Sequence, residues 1–331
     1  MNLKRILALV TVCGMCFLGA LANADELPNP AFKQYILQLK QEALEKGFSS
    51  ELVEQAFDGV TFYQRAVKAD KNQPERKITL DTYLKTRVPD WKVKQAVALY
   101  QQHQQLLQQV ADVYGVQPRF IVALWGNESN FGKIMGKFPV ISALSTLAFE
   151  GRREAFFKKQ LFAALDILKQ GHIEQSQMLG SWAGAMGQSQ FMPTSFLTYA
   201  VDFDQDGKTD IWSNHADVFA SIANYLKQEG WNGNTTWGRQ VILPKDVDTS
   251  LVGLEKSKMQ TLSAWQALGV RKYDGSDLPN VDIKASLIMP DGRDGRKYLV
   301  YSNFHTLMRW NRSTYFGSAV SYLADRIKKG Y

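Results

Sequence analysis

Ala123-Leu124-Trp125-Gly126-Asn127-Glu128-Ser129-Asn130-Phe131 places a lone carboxylate at the end of an apolar run. Pro118, well suited to the first turn of a helix, opens that run, and Phe120, Ile121, Leu124 and Trp125 recur at spacings of one, three and four. The spacing predicts a helix with one buried face that runs out near Asn130 and Gly132. Glu128 lies four residues beyond Leu124 and three beyond Trp125, so it continues the same face inward. Apolar neighbours take water from it and the negative end of the helix dipole faces it; both effects favour the protonated form and raise its pKa, as a general acid needs. The competing reading is a helix-end glutamate turned to solvent or paired with a lysine or arginine, and this stretch alone leaves the choice open.

At 331 residues the chain is long enough for two or three lobes, and its 45% hydrophobic and 12% aromatic content marks a globular protein. Met1 to Arg5 forms a basic start, Ile6 to Leu21 an apolar core, and Ala22-Asn23-Ala24 a small-x-small cleavage site, so residues 1–24 are expected to be a cleaved export signal. The apolar run is short for a membrane span. Cys13 and Cys16 both fall within this segment, which excludes disulfides, thiol nucleophiles and cysteine-held zinc from the mature chain. Val12 and Met15 stand where a lipid-modified cysteine needs a small residue before it. A soluble exported protein, not an integral membrane protein, is the expectation. Removing Lys4 and Arg5 lowers the formal charge from +7 to +5. That excess fits an anionic polymer, but no basic block with interleaved aromatics supports nucleic acid as the partner.

Residues 25–115 read as a helical lobe without a chemical motif. Helices are expected from Pro30 to Gly47, from Ser49 or Ser50 through Phe57, after an Asp81 cap, and as one long element from Trp91 towards Gly115; Arg65 to Lys77 reads as a surface connection. Beyond the Glu128 helix, Val140 to Phe149 is apolar and Ala155 to Gly171 amphipathic. The segment from Ser181 to Ser195 is rich in glycine and alanine, which let a backbone approach something closely, and in Gln188 and Gln190, which offer donors and acceptors to sugar hydroxyl and amide groups. A tight turn between helices fits that composition equally well. Asp202-Phe203-Asp204-Gln205-Asp206-Gly207-Lys208-Thr209-Asp210 matches the first part of an EF-hand loop, with Asp202, Asp204, Asp206 and the Lys208 carbonyl as oxygen ligands. Ser213 occupies the closing position where a glutamate is expected, which leaves Asp217 as the candidate; the alternative is a solvated acidic turn. From Asn232 to Tyr301 the texture changes to short strands around Leu254–Leu268, and helix returns from Asn303.

His103, His172, His215 and His305 lack metal-ligand spacing, and HExxH, GxSxG and phosphate-binding glycine loops are absent. What remains resembles the lytic murein transglycosylase B family: Trp-Gly-x-Glu-Ser with Phe-Gly at Trp125 to Gly132, Gly-Ala-Met-Gly-x-x-Gln-Phe-Met-Pro at Gly184 to Pro193, the calcium-like loop, and Asn311-Arg312-Ser313. The resemblance runs in order from about Pro30 to Ile327. It implies a mainly α (α+β) fold with a lysozyme-like catalytic core at 116–231 and 302–331, an EF-hand-like loop at 202–217, and a small β-rich lobe inserted at 232–301.

The resemblance also implies peptidoglycan glycan strands as substrate, a periplasmic setting, room for other cell-wall enzymes as partners, structural calcium and no organic cofactor. Glu128 would be the single acid and base of a cleavage that ends in a 1,6-anhydro ring. A hydrolase with a second carboxylate at Glu150, Glu154 or Asp202, and a non-catalytic peptidoglycan binder, are the rival readings. Ser181 and Gln190 would lie beside Glu128, with Tyr225 and Asn311 lining the sugar subsites. Trp310 and Phe316 stand where the family pattern has tyrosines, so stacking can persist there but contacts through a hydroxyl cannot.

Overall fold

The computed structural model describes residues 29–71 and 78–330; the expected export signal at 1–24 lies outside the described residues. Six helices come first: α1 (Pro30–Glu45), α2 (Ser50–Phe57), α3 (Gln64–Lys71), α4 (Leu80–Arg87), α5 (Asp90–Gln102) and α6 (Gln104–Tyr114). Asn29, Ser49 and Thr79 cap α1, α2 and α4 by accepting from the backbone N–H of Phe32, Leu52 and Thr82. Thr79 thus takes the place expected of Asp81, which instead pairs with Arg296 at 2.6 Å.

Two further expectations are corrected. The supposed surface connection begins as α3, because Ala66 and Val67 are buried and the equally buried Asp70 receives the Arg152 guanidinium at 2.8 Å. The supposed long helix is two, divided at His103, whose ring meets Trp125, His215 and Phe219 edge-on.

The middle of the chain holds α7 (Pro118–Ser129), β1 (Phe138–Pro139), α8 (Val140–Phe149), α9 (Glu154–Lys169), β2 (Leu179–Gly180), α10 (Pro193–Tyr199) and α11 (His215–Gln228). After it come β3 (Gly238–Ile242), β4 (Gln260–Thr261), α12 (Leu262–Ala267), β5 (Arg271–Lys272), β6 (Lys284–Ile288), β7 (Lys297–Val300), α13 (Ser302–Trp310) and α14 (Thr314–Lys329). The molecule is mainly α with small antiparallel sheets, the class expected from its sequence.

Every residue from Phe120 to Gly126 and from Val140 to Ala148 is buried. Helices that are apolar all round belong inside, and α7 and α8 do: α5, α6, α11 and α14 surround the first, while α1, α2, α3 and α9 pack on the second. Leu39, Val53 and Leu84 join Leu124, Leu147 and Val320 in one hydrophobic cluster, so helices on both sides of residue 115 share a core.

The five-stranded sheet has the order β4-β6-β7-β3-β5 and is antiparallel throughout. Trp265, with Leu262, Val270, Leu287 and Leu299, forms a separate cluster beneath it. The helix expected over Leu254–Leu268 shrinks to α12, because Gln260 and Thr261 pair with Ala285 and Lys284 as β4.

Buried side-chain bonds tie α7 to the loops around it. Gln188, 5% exposed, accepts from Trp125 Nε1 at 2.7 Å and donates to the Trp212 carbonyl at 2.8 Å. Gln188→Leu leaves both partners unsatisfied, and a buried orphan costs about 1–3 kcal/mol each. Equilibrium urea unfolding of this variant is expected to show a loss of about 2–6 kcal/mol, the sum for two such orphans.

Candidate active site

Glu128 occupies the last turn of α7, followed by Asn130 and Phe131 in the left-handed region at φ 50° and 59°. That turn reverses the chain and leaves the residue as a whole half-buried. Burial is the largest influence on it and pushes its pKa up from 4.5 to about 7; a hydrogen bond from Trp310 and the charges of Arg87 and Lys92 pull the other way. The solvent-exposed reading of Glu128 is therefore not what the fold builds.

Trp310 Nε1 donates to Glu128 Oε1 at 2.6 Å across 182 residues of sequence. An indole N–H thus reaches the acid at the position where a ring without a hydroxyl promised stacking alone. Phe191 and Tyr225 flank the indole, with ring centroids 5.4 Å and 4.6 Å from it, and Tyr199 lies 4.4 Å from Tyr225. Four segments contribute to this aromatic shelf: the loop before α10, α10 itself, α11 and the end of α13. Phe191 entered the sequence reading only as part of the Gly184 to Pro193 motif and Tyr199 not at all; neither was assigned a place at the site.

Lys92, on α5, is a second group that sequence reading passed over, because a lysine within a polar helix carries no signal of burial. It is 7% exposed, and burial foremost, then the Arg87 charge, lowers its pKa to about 8 while Glu128 opposes the shift.

The Gly/Gln loop lies against protein. Ser181 Oγ accepts from the backbone N–H of Ala183 and Ala185 at 3.3 and 3.0 Å, and Gln190, at φ 52°, donates to the carbonyls of Met135 and Gly187 at 3.1 and 2.9 Å. Gln188 is buried, so it does not present its amide to a sugar as its composition-based reading expected. The close approach the glycines permit is to the chain itself. A Cβ on Gly136 (φ +94°) would lie 1.9 Å from the Gly180 carbonyl oxygen, and one on Gly187 (φ +63°) 2.6 Å from that of Ile211.

Asn311 is exposed at the end of α13, and its Oδ1 accepts from Ser313 N at 3.0 Å. Phe316 is buried in the main cluster at the start of α14. Glu150 is paired with Lys71, and Glu154 accepts from Tyr35 at 2.8 Å.

The acidic loop brings ligand atoms of Asp202, Asp204 and Asp217 within 4.8 Å of one another. Asp206 is not part of that group; its Oδ1 accepts from the backbone N–H of Lys208 at 2.8 Å. Asp217, fully buried, receives the N–H groups of Phe203 and Asp210 at 2.7 Å each. Burial chiefly, then the charges of Asp204 and Asp202, lift its pKa to about 6 against those two hydrogen bonds. Three convergent carboxylates, one of them dry, form a donor set of hard oxygens that suits calcium.

Residues 31–325 match the family model of the transglycosylase SLT domain. Membrane-bound lytic murein transglycosylase B of Escherichia coli (strain K12) is 33% identical over 247 residues, 74% of this chain and 66% of that protein. The chain thus spans just under two thirds of the length of this curated relative. SltB3 from Pseudomonas aeruginosa, solved in complex with NAG-anhNAM-pentapeptide, has a TM-score of 0.87 at 42% identity over 92% of this chain and 81% of its own. Slt35 of Escherichia coli, solved in complex with calcium, has a TM-score of 0.76 at 28% identity over 93% and 97%. Alike from the first described helix to the last in both sequence and fold, the chain belongs to the transglycosylase SLT family and, within it, to the lytic murein transglycosylase B type.

Proposed function

We propose that this protein is a lytic transglycosylase that cleaves the β-1,4 bond between N-acetylmuramic acid and N-acetylglucosamine in peptidoglycan glycan strands, with Glu128 as its one acid and base. The observation that carries this reading is a carboxyl, on a half-buried residue, whose pKa is raised to about 7 and whose charged neighbours are the cations Arg87 and Lys92. At neutral pH such a group exists in both protonation states, as a residue that first gives and then takes a proton requires.

In the first step the Glu128 carboxylic acid protonates the glycosidic oxygen. The bond from muramic C1 to that oxygen breaks, and the glucosamine leaves with a new hydroxyl. In the second step the Glu128 carboxylate removes the proton from the muramic C6 hydroxyl, whose oxygen closes on C1. One C–O bond has broken and one has formed, the proton is back on Glu128, and no water is consumed. Glu150 and Glu154, two of the carboxylates a hydrolase would recruit, are engaged with Lys71 and Tyr35, which favours the reading without a second carboxylate.

Tyr225 and Trp310 supply ring surface for the sugars and Asn311 an exposed amide, while Phe316 is buried in the main core at the start of α14. Ser181 and Gln190 keep the neighbouring loop in place. Residues 116–231 with 302–331 act as the catalytic core, flanked by the helical lobe at 25–115 and the β lobe at 232–301. Asp202, Asp204 and Asp217, with Asp206 and the Lys208 carbonyl from the same loop, would hold calcium. Its positive charge would offset their mutual repulsion and brace the loop that leads into α11. Among the described residues no helix is long and apolar enough to cross a membrane. With the leader at 1–24, the setting we assign is the periplasm.

Digestion of purified murein followed by mass spectrometry is expected to yield muropeptides with 1,6-anhydro ends. Reducing ends, or intact murein, would overturn the proposal. Glu128→Gln is expected to lower turnover by at least about a hundredfold, the range for loss of general acid–base catalysis, with murein binding kept in a pull-down assay.

Calcium at a hundredfold excess over its Kd contributes about 2.7 kcal/mol. Chelation is therefore expected to lower the melting temperature by several degrees, reversibly on adding calcium back. An unchanged melting curve would remove the metal from this account.

A further inference from the structure

We propose that Trp310 fixes which oxygen of Glu128 carries the transferable proton: its indole N–H occupies Oε1, so that Oε2 alone serves as acid and then as base. This rests on the single-acid reading above and adds a positioning residue to it. The geometry is direct, a donor 2.6 Å from Oε1. Indole Nε1–H donates and cannot accept. A proton on Oε1 would face the indole hydrogen and forfeit the bond, whereas a proton on Oε2 leaves Oε1 as the carbonyl oxygen, still accepting. A hydroxyl in the same place could donate or accept and would tolerate the proton on either oxygen.

The indole is held against turning away. Tyr225 meets it at 4.6 Å with the planes 63° apart, and Phe191 at 5.4 Å and 50°. The helix that carries it is fastened as well. Asn303 accepts from Asn232 N and donates to its carbonyl, at 2.8 and 2.9 Å, and Thr306 Oγ1 donates to the Glu229 carbonyl at 3.1 Å.

Both proton transfers then involve Oε2. Its O–H bond breaks as the glycosidic oxygen gains the proton, and re-forms with the proton of the C6 hydroxyl as that oxygen bonds to C1. The carboxylate between the two steps keeps its bond from Trp310, so Oε1 holds one partner throughout the cycle.

Other charged or titratable groups set the background for this pair. Tyr83 and Arg87 come from α4 and Lys92 from α5, each interacting electrostatically with Glu128. Tyr225 comes from α11 and touches the indole. On α14, Asp325 is paired with Arg119 at 2.9 Å, in the opening turn of α7 and about 14 Å along the helix from Glu128. On α6, Asp112 accepts from Gln108 at 2.7 Å.

The indole bond is strongest to the carboxylate, so it holds the pKa of Glu128 down, and its removal lets that pKa rise. The descending limb of kcat/KM against pH reports loss of the protonated acid. In Trp310→Phe, which keeps a ring and removes the donor, that limb is expected to move up by about one pH unit, the effect of losing a hydrogen bond to a charged acceptor. Trp310→Tyr is expected to move it less. An unshifted limb in a folded Trp310→Phe variant overturns the proposal.

Should Trp310→Phe fail to fold, the full-length wild-type enzyme carries the test. With ¹⁵N-labelled tryptophan, the indole resonance that Trp310→Tyr removes is expected to move downfield as pH rises through the Glu128 titration, around pH 7. A resonance flat from pH 5 to 9 rejects the pairing. This titration reports the Glu128–Trp310 pair whatever reaction follows, while the murein products judge the reaction, so the two readings fail separately.

Discussion

Taking the Glu128 carboxyl out of water makes its charge costly, and the end of α7 sets that cost against three favourable influences. Desolvation is the largest and drives the pKa upwards; the Trp310 N–H and the cations Arg87 and Lys92 oppose it without cancelling it. The result near neutrality depends on depth. A carboxyl a little wetter would lose its proton at working pH, and one a little drier would never release it. The left-handed turn at Asn130 and Phe131 ends the helix just past Glu128 and so fixes where its side chain lies.

Holding that depth requires rigidity, and the rigidity comes from the shared core. Trp125, one turn before Glu128, is buried and anchored through Gln188 to the segment that leads into α11. Trp310 on α13 reaches the Glu128 carboxyl, and Tyr225 on α11 packs against its indole, from sequence positions far apart. Their supports are backbone carbonyls and amides bonded by Asn303 and Thr306, and such buried bonds specify a single arrangement. The β lobe keeps a cluster of its own around Trp265, while Ile288, Tyr298 and Val300 from its strands join the main core.

How much of this was legible in the sequence follows the reach of the forces involved. The α7 helix, its buried face and the discomfort of Glu128 were readable because periodicity, dipole and apolar neighbours act within a few residues. Asp217 was legible as the partner of Asp202 and Asp204 through a loop pattern nearly as local. The break at His103 was invisible, since it reflects packing against His215 and Phe219, and α3 was hidden because only two apolar residues mark its buried face. Gln188 illustrates the limit most clearly. Composition offered a free amide for sugars, and tertiary structure commits that amide to two tryptophans. Trp310 reverses the lesson, for the residue marked as a departure supplies a hydrogen bond to the Glu128 carboxyl.

A single carboxyl that gives a proton and takes one back needs surroundings that change little between the two states. Trp310 meets this need as a donor to either form. Lys92 meets it through its charge. Burial lowers its pKa to about 8, the Glu128 charge opposes that shift, and the Lys92 charge in turn opposes the rise at Glu128. Each charge thus favours the other. A second acid carboxylate at the same place would act in the opposite sense, since like charges hold a proton on one member and raise its pKa further. Of the carboxylates that such a pair could draw on, Glu150 and Glu154 are held by Lys71 and Tyr35 and Asp202 belongs to the acidic loop. With cations beside it, Glu128 can become the carboxylate once it has given up its proton, and in the proposed mechanism that is the state that would act on the substrate's own hydroxyl.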